Sequence, residues 1–276
     1  MDFPILTKEL ALRIAKSEAD HFLSWLSAIQ SQSGNPFGVE TERFGRAVAM
    51  VNTGATLGPL FNRVLGFGEE ETDLLDDIVA FYTGRGVPCR IDINPNDASP
   101  ALLTRLDRAA LRPFRFHNFL YGLPQDQHDQ PAGYRGIIAR EATMEELPLW
   151  AEIWQEGYAE SLGVSPEVHQ EVAQCVTQLH EQPGWRLYLA LVEDTVAAAG
   201  AMYVQDGVAS LLIGATVPRY RRRGCQGALL HKRIADSAEL GCDLIAAQAA
   251  VGSTSQHNME RAGLRIAFTR AFWLQR

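Results

Sequence analysis

The apolar residues of the chain follow two spacings, one typical of helices and one typical of strands. Helices are predicted for residues 5–30, 72–83, 99–108, 143–161, 165–180, 225–240 and 254–262. Strands are predicted for residues 46–51, 60–65, 89–93, 114–121, 134–140, 187–192, 197–204, 209–216, 243–248 and 265–274. This order predicts an α/β protein of the α+β type, with a mixed, mostly antiparallel sheet flanked by helices.

A polar segment at residues 122–133 interrupts both spacings. It contains proline, glycine, aspartate and glutamine but no periodic apolar face. Such composition is typical of a linker. We therefore predict a domain boundary near residue 130, with an N-terminal domain over residues 1–130 and a C-terminal domain over residues 131–276.

The two halves contain similar sequences at corresponding places. Residues 108–112 read Arg-Ala-Ala-Leu-Arg, residues 261–265 read Arg-Ala-Gly-Leu-Arg, and Phe119 and Phe272 follow at the same interval. The predicted elements before them occur in the same order. This similarity indicates a tandem duplication, and we expect two similar domains.

Composition restricts the classes of partner. Of 276 residues, 46% are hydrophobic and 21% are charged, which is typical of a globular protein, and the formal net charge is −8. Nucleic-acid binding requires a surplus of Lys and Arg, so this charge argues against a general nucleic-acid binder. The sequence assigns no oligomeric state.

Cysteine spacing and the apolar runs indicate a compartment. Cys89, Cys175, Cys225 and Cys242 show no C-x-x-C spacing, which argues against a zinc knuckle or a disulfide framework. The N-terminus has no signal-peptide pattern, and no apolar run reaches 18 residues. We expect reduced thiols, a cytoplasmic location, no metal and no membrane association.

Candidate chemistry lies where a strand meets a helix at residues 214–228. The apolar strand is followed by Pro218, by four arginines at 219 and 221–223, and by small residues at the predicted helix start, Gly224, Gly227 and Ala228. A helix start offers unpaired N–H groups and the positive end of the helix dipole. This arrangement predicts a phosphate site.

The same stretch resembles the GNAT superfamily of acyl-CoA-dependent N-acetyltransferases. That family has a Gln/Arg-x-x-Gly-x-Gly/Ala signature between its fourth strand and third helix, which here reads Arg221-Arg222-Arg223-Gly224-Cys225-Gln226. Gln226 departs from the pattern and would place a longer side chain beside a pyrophosphate, with Gly227 giving it some room. The resemblance covers about residues 134–276. It implies acetyl transfer from acetyl-CoA to a primary amine of a small molecule or an amino terminus.

The resemblance also implies the residues that bind the cofactor. Backbone groups of Gly214, Ala215 and Thr216 would hold pantetheine and polarise the thioester carbonyl where the fourth and fifth strands separate. Arg222, Arg223 and the backbone through Gly224, Cys225, Gln226 and Gly227 would bind the pyrophosphate. Ser253 and Ser255 stand near the place of a family asparagine and could take over its contact with CoA.

The catalytic acid and base are not assigned by the sequence. The glutamate that many members carry on the fourth strand is replaced within Leu211-Leu212-Ile213, and Met259 stands where many have a tyrosine. Candidates for the acceptor pocket lie in the first helix of the C-terminal half: Trp150, Trp154, Tyr158 and Glu160. Both tryptophans also fit a core-packing role, and Tyr158 is a candidate proton donor to the thiolate.

The N-terminal half contains a similar loop with the opposite charge. Residues 63–68 match the signature, but Glu69, Glu70 and Glu71 follow at the helix start. Carboxylates there would occupy the helix dipole and repel a pyrophosphate. We therefore expect a degenerate GNAT-like N-terminal domain and one acetyl-CoA per chain.

Two other functions remain open at this point. The missing glutamate and tyrosine are compatible with an acyl-CoA-binding regulatory module that has no turnover. A nucleic-acid-binding role for the arginines at 219–223 is a further alternative, which the net charge disfavours.

Overall fold

The computed structural model describes residues 3–54, 61–125, 134, 136–162, 175 and 178–276, without the side chains of residues 159–162. Its internal contacts define two units. The N-terminal unit consists of Ile5–Phe119 and Ile266–Arg276, and the C-terminal unit of Met1–Pro4 and Leu120–Arg265. The boundary predicted near residue 130 falls outside the described residues.

The described elements are numbered here in chain order. The helices are α1 Lys8–Gln30, α2 Leu75–Thr83, α3 Pro100–Arg108, α4 Leu147–Leu162, α5 Cys225–Glu239 and α6 Thr254–Arg261. The strands are β1 Val39–Phe44, β2 Ala47–Asn52, β3 Arg63–Leu65, β4 Arg90–Ile93, β5 Leu111–Gly122, β6 Ile137–Glu141, β7 Trp185–Val192, β8 Thr195–Gln205, β9 Val208–Thr216, β10 Leu244–Ala250 and β11 Arg265–Gln275.

The N-terminal unit has a mixed sheet in the order β1-β2-β3-β4-β11-β5. β3 and β4 are parallel, and the β1/β2, β2/β3 and β4/β11 pairs are antiparallel. Val51 of β2 and Ile91 of β4 lie in one core with Ile78 of α2. Helix α1 begins where the Thr7 hydroxyl accepts the Leu10 N–H at 3.2 Å.

The C-terminal unit has a sheet in the order β10-β9-β8-β7-β6. The pairs from β6 to β9 are antiparallel, and only the β9/β10 pair is parallel. Helix α5 buries Leu229, Leu230 and Ile234 in the core of this unit, with Leu211 and Ile245 of the sheet. The predicted fold class, a mixed and mostly antiparallel sheet flanked by helices, is confirmed.

The duplication is visible in the order of the elements. β3, α2, β4, α3 and β5 in the first half correspond to β9, α5, β10, α6 and β11 in the second half. Both series contain one parallel strand pair, and the similar sequences at 108–112 and 261–265 lie at the same junction between a helix and the last strand. β11, the last strand of the second series, pairs with β4 of the first.

Two predictions of secondary structure need correction, and a third lies mostly outside the described residues. β1 was missed, because its residues are largely exposed and polar, without the alternation of a half-buried strand. The strand predicted from residue 134 begins only at Ile137, since Gly136 has a φ of +80° and ends the preceding turn. Of the helix predicted at 165–180, only Cys175 and residues 178–180 are described, and these are helical.

Among the described residues, no helix combines the length and the apolar character needed to cross a bilayer.

A buried cluster of charges attaches β11 to the N-terminal unit. Arg270 pairs with Glu18 of α1 and donates from Nε to Asn94 Oδ1 at 2.7 Å. Arg63 Nη1 lies 3.4 Å from Asp92 Oδ2 and 3.7 Å from Glu18 Oε1. All of these side chains are buried. Removing one charge would therefore leave its partner buried with less compensation.

Replacing Arg270 with Met should destabilise the protein by about 3–5 kcal/mol, because the Glu18 carboxylate would lose its nearest cation. Urea denaturation followed by circular dichroism measures this loss. Arg105→Met is the matched control, since its partner Asp76 is 76% exposed, and this variant should lose less than about 1 kcal/mol. Equal losses in the two variants would contradict the prediction.

Candidate functional site

The centre of the candidate site is a bulge in β9. Gly200 of β8 is opposite Gly214, but the next residue, Ala201, is opposite Leu212, so Ile213 is an extra residue in the pairing. Ile213 has a φ of +46°, a conformation that a β-branched residue rarely adopts. A bulge re-aims the backbone that follows it. Here it redirects Gly214, the first residue of the predicted thioester contact.

β9 separates from β10 beyond the bulge. Their parallel pairing joins residues 208–211 to residues 244–247, whereas the strands continue to Thr216 and Ala250. The last residues of β9 therefore have no pairing with β10 in these described strands. The strand separation implied by the family resemblance is present.

A buried arginine holds the bulge. Arg233 of α5 is 2% exposed, and its Nη1 donates to the carbonyl oxygens of Ala201 at 2.8 Å, Leu212 at 2.8 Å and Ile213 at 3.2 Å. Its Nε donates to Leu229 O at 3.0 Å. Burial lowers the pKa of Arg233 to about 10, so the group stays protonated at neutral pH. Sequence reasoning missed this residue. The only signal was a charge on the apolar face of a helix.

Helix α4 packs closely on the same strand. A Cβ on Gly157 would lie 2.8 Å from Ala215 Cβ and 3.1 Å from Thr216 N, so only glycine allows this approach. At the other end of the helix, Trp150 Nε1 donates to Gly200 O at 3.1 Å. The helix is thus fixed to both strands of the bulge.

The aromatic candidates on α4 differ in their surroundings. Trp150 and Trp154 are buried at 0% and 5% exposure, and Trp150 serves the core through its bond to Gly200. The Tyr158 hydroxyl oxygen accepts the Gly214 N–H at 3.5 Å. Burial raises the pKa of Tyr158, which keeps the hydroxyl protonated at neutral pH. The Glu160 side chain lies outside the described part of the protein.

The four arginines of the loop divide into two pairs. Arg219 pairs with Glu156 at 2.7 Å, and Arg221 Nη2 donates to Gly157 O at 3.2 Å, so both join the loop to α4. Arg222 and Arg223 are exposed, and no carboxylate among the described residues pairs with either. These two guanidiniums are therefore available to an anion.

The start of α5 presents backbone donors beside this pair. Gly224 is the N-cap with a φ of +93°, a conformation that favours glycine. No hydrogen bond to the N–H groups of Gln226 and Gly227 is found in the described parts of the chain. Burial raises the pKa of the Cys225 thiol, which also lies 3.8 Å from Tyr220 O. A thiol with a raised pKa stays protonated, so Cys225 fills space in the turn rather than acting as a nucleophile.

Gln226 joins the start of α5 to α6. Its Nε2 donates to Ser255 Oγ at 2.9 Å, and its Oε1 accepts from Asn258 Nδ2 at 2.6 Å. Ser253 is the N-cap of α6 and accepts the Gln256 N–H at 3.2 Å. Both predicted serine hydroxyls therefore have protein partners.

The expectation that Gly227 gives room to Gln226 is wrong. The space beside Gly227 is filled by the Tyr134 ring, which a Cβ on Gly227 would overlap. Next to this contact is a cavity of about 180 Å³, and its lining includes Gln125, His231 and Arg261. Among the residues that the structure describes, the buried His231 Nε2 has no hydrogen-bond partner. This cavity adjoins the first turn of α5 and was not predicted.

The corresponding loop in the N-terminal unit is occupied by a side chain of the protein. Glu71 accepts from Gly68 N at 3.2 Å and from Arg46 N at 3.0 Å, and it pairs with the Arg46 guanidinium at 3.2 Å. Burial alone would raise the pKa of Glu71, but the bonds from Arg46 and Gly68 leave it lowered. A carboxylate thus holds the place where an external anion would bind.

Within the described ranges, no group of three or more His, Cys, Asp or Glu side chains is placed to hold a metal ion.

Known proteins share this architecture. Residues 125–247 match the model of the acetyltransferase (GNAT) domain family. A GCN5-related N-acetyltransferase from Kribbella flavida superposes with a TM-score of 0.65 at 16% identity, covering 95% of this chain and 94% of its own. One from Sphaerobacter thermophilus gives 0.60 at 14% identity, covering 90% and 84%.

A tandem GNAT protein from the clavulanic acid biosynthesis pathway has a TM-score of 0.58 at 14% identity, covering 93% of this chain and 95% of its own. No curated protein matches the sequence. The chain thus has a tandem GNAT fold. Its residues 125–247 match the GNAT acetyltransferase domain model, so the resemblance predicted from the loop is confirmed.

Proposed function

We propose that this protein transfers an acetyl group from acetyl-CoA to a primary amine of a small molecule or an amino terminus. One observation carries the proposal. The separated end of β9, with the bulge at Ile213, continues through a loop with two exposed arginines into the N-terminus of α5. A polarising N–H and an anion site thus lie on one continuous stretch of backbone.

Cofactor binding uses charge and backbone donors together. Arg222 and Arg223, with the first-turn N–H groups of Gln226 and Gly227, bind the pyrophosphate. The adjoining cavity beside Tyr134 offers an aromatic ring, a carboxamide and a guanidinium, which suit the nucleotide end. Pantetheine passes along Gly214, Ala215 and Thr216 between the separated strands. The Gln226–Ser255 pair borders this passage, since Gln226 Nε2 would lie 3.4 Å from a Cβ on Gly214.

The transfer step uses the contact between Tyr158 and Gly214. A thioester oxygen replaces the tyrosine hydroxyl as the acceptor of the Gly214 N–H, which polarises the carbonyl. The neutral amine attacks the carbonyl carbon, the C–S bond breaks, and the freed Tyr158 hydroxyl gives its proton to the departing thiolate. Residues 211–213 of β9 are apolar, so the proton lost by the amine passes to water, and water returns a proton to the Tyr158 phenolate.

The acceptor lies against the C-terminal part of α4. Tyr158 faces the reacting end of β9, and Trp154 lies about one helical turn before it. We propose Trp154, Tyr158 and Glu160 as the contacts of the amine substrate. Cys89, Cys225 and Cys242 form no disulfide in the described structure, which supports a reducing compartment, and we propose a cytoplasmic location.

The rival function is an acyl-CoA-binding regulatory module without turnover. Release of free thiol from acetyl-CoA in the presence of a panel of primary amines distinguishes the two. Amine-dependent release supports the enzyme, whereas binding without release supports the module.

Replacing both Arg222 and Arg223 with Ala should weaken acetyl-CoA binding at least about tenfold, because two charge-assisted contacts to phosphate are lost from a screened, exposed site. Calorimetric titration measures the affinity, and the thermal unfolding midpoint should not change. The double variant Arg105→Ala with Arg112→Ala removes the same charge from surface pairs elsewhere and should bind as the parent protein does. Unchanged affinity in the first variant would refute the assignment.

Replacing Tyr158 with Phe should lower kcat on the order of 100-fold, since a general acid contributes at least that factor. The pKa of Tyr158 is raised, so its hydroxyl is protonated throughout the neutral range, and the loss should be the same from pH 6 to pH 9. Tyr203→Phe on β8 is the control and should keep full turnover. Turnover of Y158F equal to the parent at every pH would exclude Tyr158 as the acid.

The intact chain should bind one equivalent of acetyl-CoA. Glu71 already occupies the N-terminal loop, and displacing a buried carboxylate from Arg46 and two N–H groups is costly. Calorimetry should therefore give a stoichiometry of one, and the variant with Arg222→Ala and Arg223→Ala should show no second binding event. Two equivalents on the intact chain would show that the N-terminal loop remains a cofactor site.

A further inference from the structure

Arg233 has an unusual position for a cation. It lies between Leu230 and Ile234 on the inward face of α5 and is almost completely buried. A buried charge needs several hydrogen bonds or an opposite charge, because it has lost its hydration. Its four hydrogen bonds all go to backbone carbonyl oxygens. Asp236, one turn further, pairs with Lys232 at 2.6 Å.

The carbonyl partners explain how the bulge persists. Two of the oxygens, on Leu212 and Ile213, belong to β9, and a third, on Ala201, belongs to the facing strand. In a regular antiparallel pair, N–H groups of the neighbouring strand would satisfy such oxygens. The extra residue disrupts that pairing, and the guanidinium supplies the missing donors. The left-handed φ of Ile213 is unfavourable for a β-branched residue and persists only where surrounding bonds determine it.

Gly200 is matched to this guanidinium. A Cβ at Gly200 would lie 3.2 Å from Arg233 Cζ and 3.2 Å from Nη1, closer than side chains normally pack. Gly200 is also the residue whose carbonyl accepts from Trp150 of α4. Any side chain at this position would press on the guanidinium without removing it.

The positive charge of Arg233 also acts at the reacting end of β9. It interacts electrostatically with two tyrosines, Tyr158 of α4 and Tyr188 of β7. Burial raises the pKa of Tyr158, and the Gly214 N–H and the Arg233 charge oppose that rise. Burial also raises the pKa of Tyr188, and Asp236 adds to the rise. In the described structure no carboxylate pairs with Arg233, so its charge acts on the reacting end of β9.

We infer that Arg233 is a positioning residue for acyl transfer: its guanidinium fixes the Ile213 bulge, which aims the Gly214 N–H at the thioester carbonyl. Its positive charge favours the negative charge that develops on the carbonyl oxygen and the departing sulfur. This inference rests on the proposed function and adds to it a residue that never touches the substrate. It also explains why β9 needs no ionisable side chain at residues 211–213 to polarise the carbonyl.

The test uses acetyl-CoA labelled with ¹³C at the carbonyl, bound to the full-length protein. Polarisation by the Gly214 N–H should shift this resonance away from its position in free acetyl-CoA, and the measurement needs no acceptor amine. Affinity by calorimetry and kcat by thiol release with the amine panel are measured on the same samples. The variants are Arg233→Met, Arg233→Lys and Gly200→Ala, with Lys232→Met as the control on the same helix.

We expect Arg233→Met to return the carbonyl resonance most of the way to the free position and to lower kcat on the order of 100-fold, the usual effect of losing one polarising donor. Acetyl-CoA affinity should change less than about threefold, because the phosphate contacts are intact. Arg233→Lys keeps the positive charge but loses the several N–H donors of the guanidinium. This variant should therefore recover only part of the carbonyl resonance shift and part of kcat. Lys232→Met should match the parent in all three measurements.

Gly200→Ala keeps the inference testable if Arg233→Met does not fold. This variant retains every polar group, and we expect it to fold, to bind acetyl-CoA normally, and to lose about tenfold in kcat with a reduced carbonyl shift. Normal shift and kcat in Gly200→Ala would overturn the inference, as would a normal shift in a folded Arg233→Met. A parent protein that binds no acetyl-CoA would instead overturn the proposed function, and the inference with it.

Discussion

The C-terminal site depends on one buried cation surrounded by carbonyl oxygens. Without the Arg233 guanidinium, the oxygens of Ala201, Leu212 and Ile213 would be buried beside an irregular pairing that supplies too few donors. The irregularity itself turns Gly214 towards Tyr158 and lets α4 dock at Gly157. Strand geometry, helix docking and the direction of a backbone donor therefore have one common cause. That cause is a side chain on the opposite face of the sheet from α4.

Much of this fold could be predicted from the sequence, because most elements have strong apolar periodicity. The hydrophobic faces of α1 and α5, the apolar run of β9 and the tandem similarity at 108–112 and 261–265 all indicated their structures. β1 could not be predicted, since an exposed edge strand with polar side chains has no alternation to detect. It forms because β2 offers a partner.

Part of the site could also be predicted, because it too is encoded by residues that are close together in the sequence. The loop arginines and glycines form a local motif, so the anion site could be located from consecutive residues. The division of the arginines could not, because it depends on Glu156 and Gly157, more than 60 residues earlier in the chain. The role of Gln226 likewise depends on Ser255 and Asn258 of another helix. Long-range partners of this kind leave no local pattern in a single sequence.

The pairing of β11 with β4 has a consequence for how the chain reaches its native state. The residues that complete the N-terminal unit lie at positions 266–276, after the whole of the C-terminal unit has been synthesised. The N-terminal unit therefore cannot finish folding while it emerges from the ribosome, although domains usually fold in that order. The pairing of β11 with β4 joins residues far apart in the sequence, and contacts of such high order form slowly. Until residues 266–276 have been synthesised, the open edge of β4 is exposed to other chains.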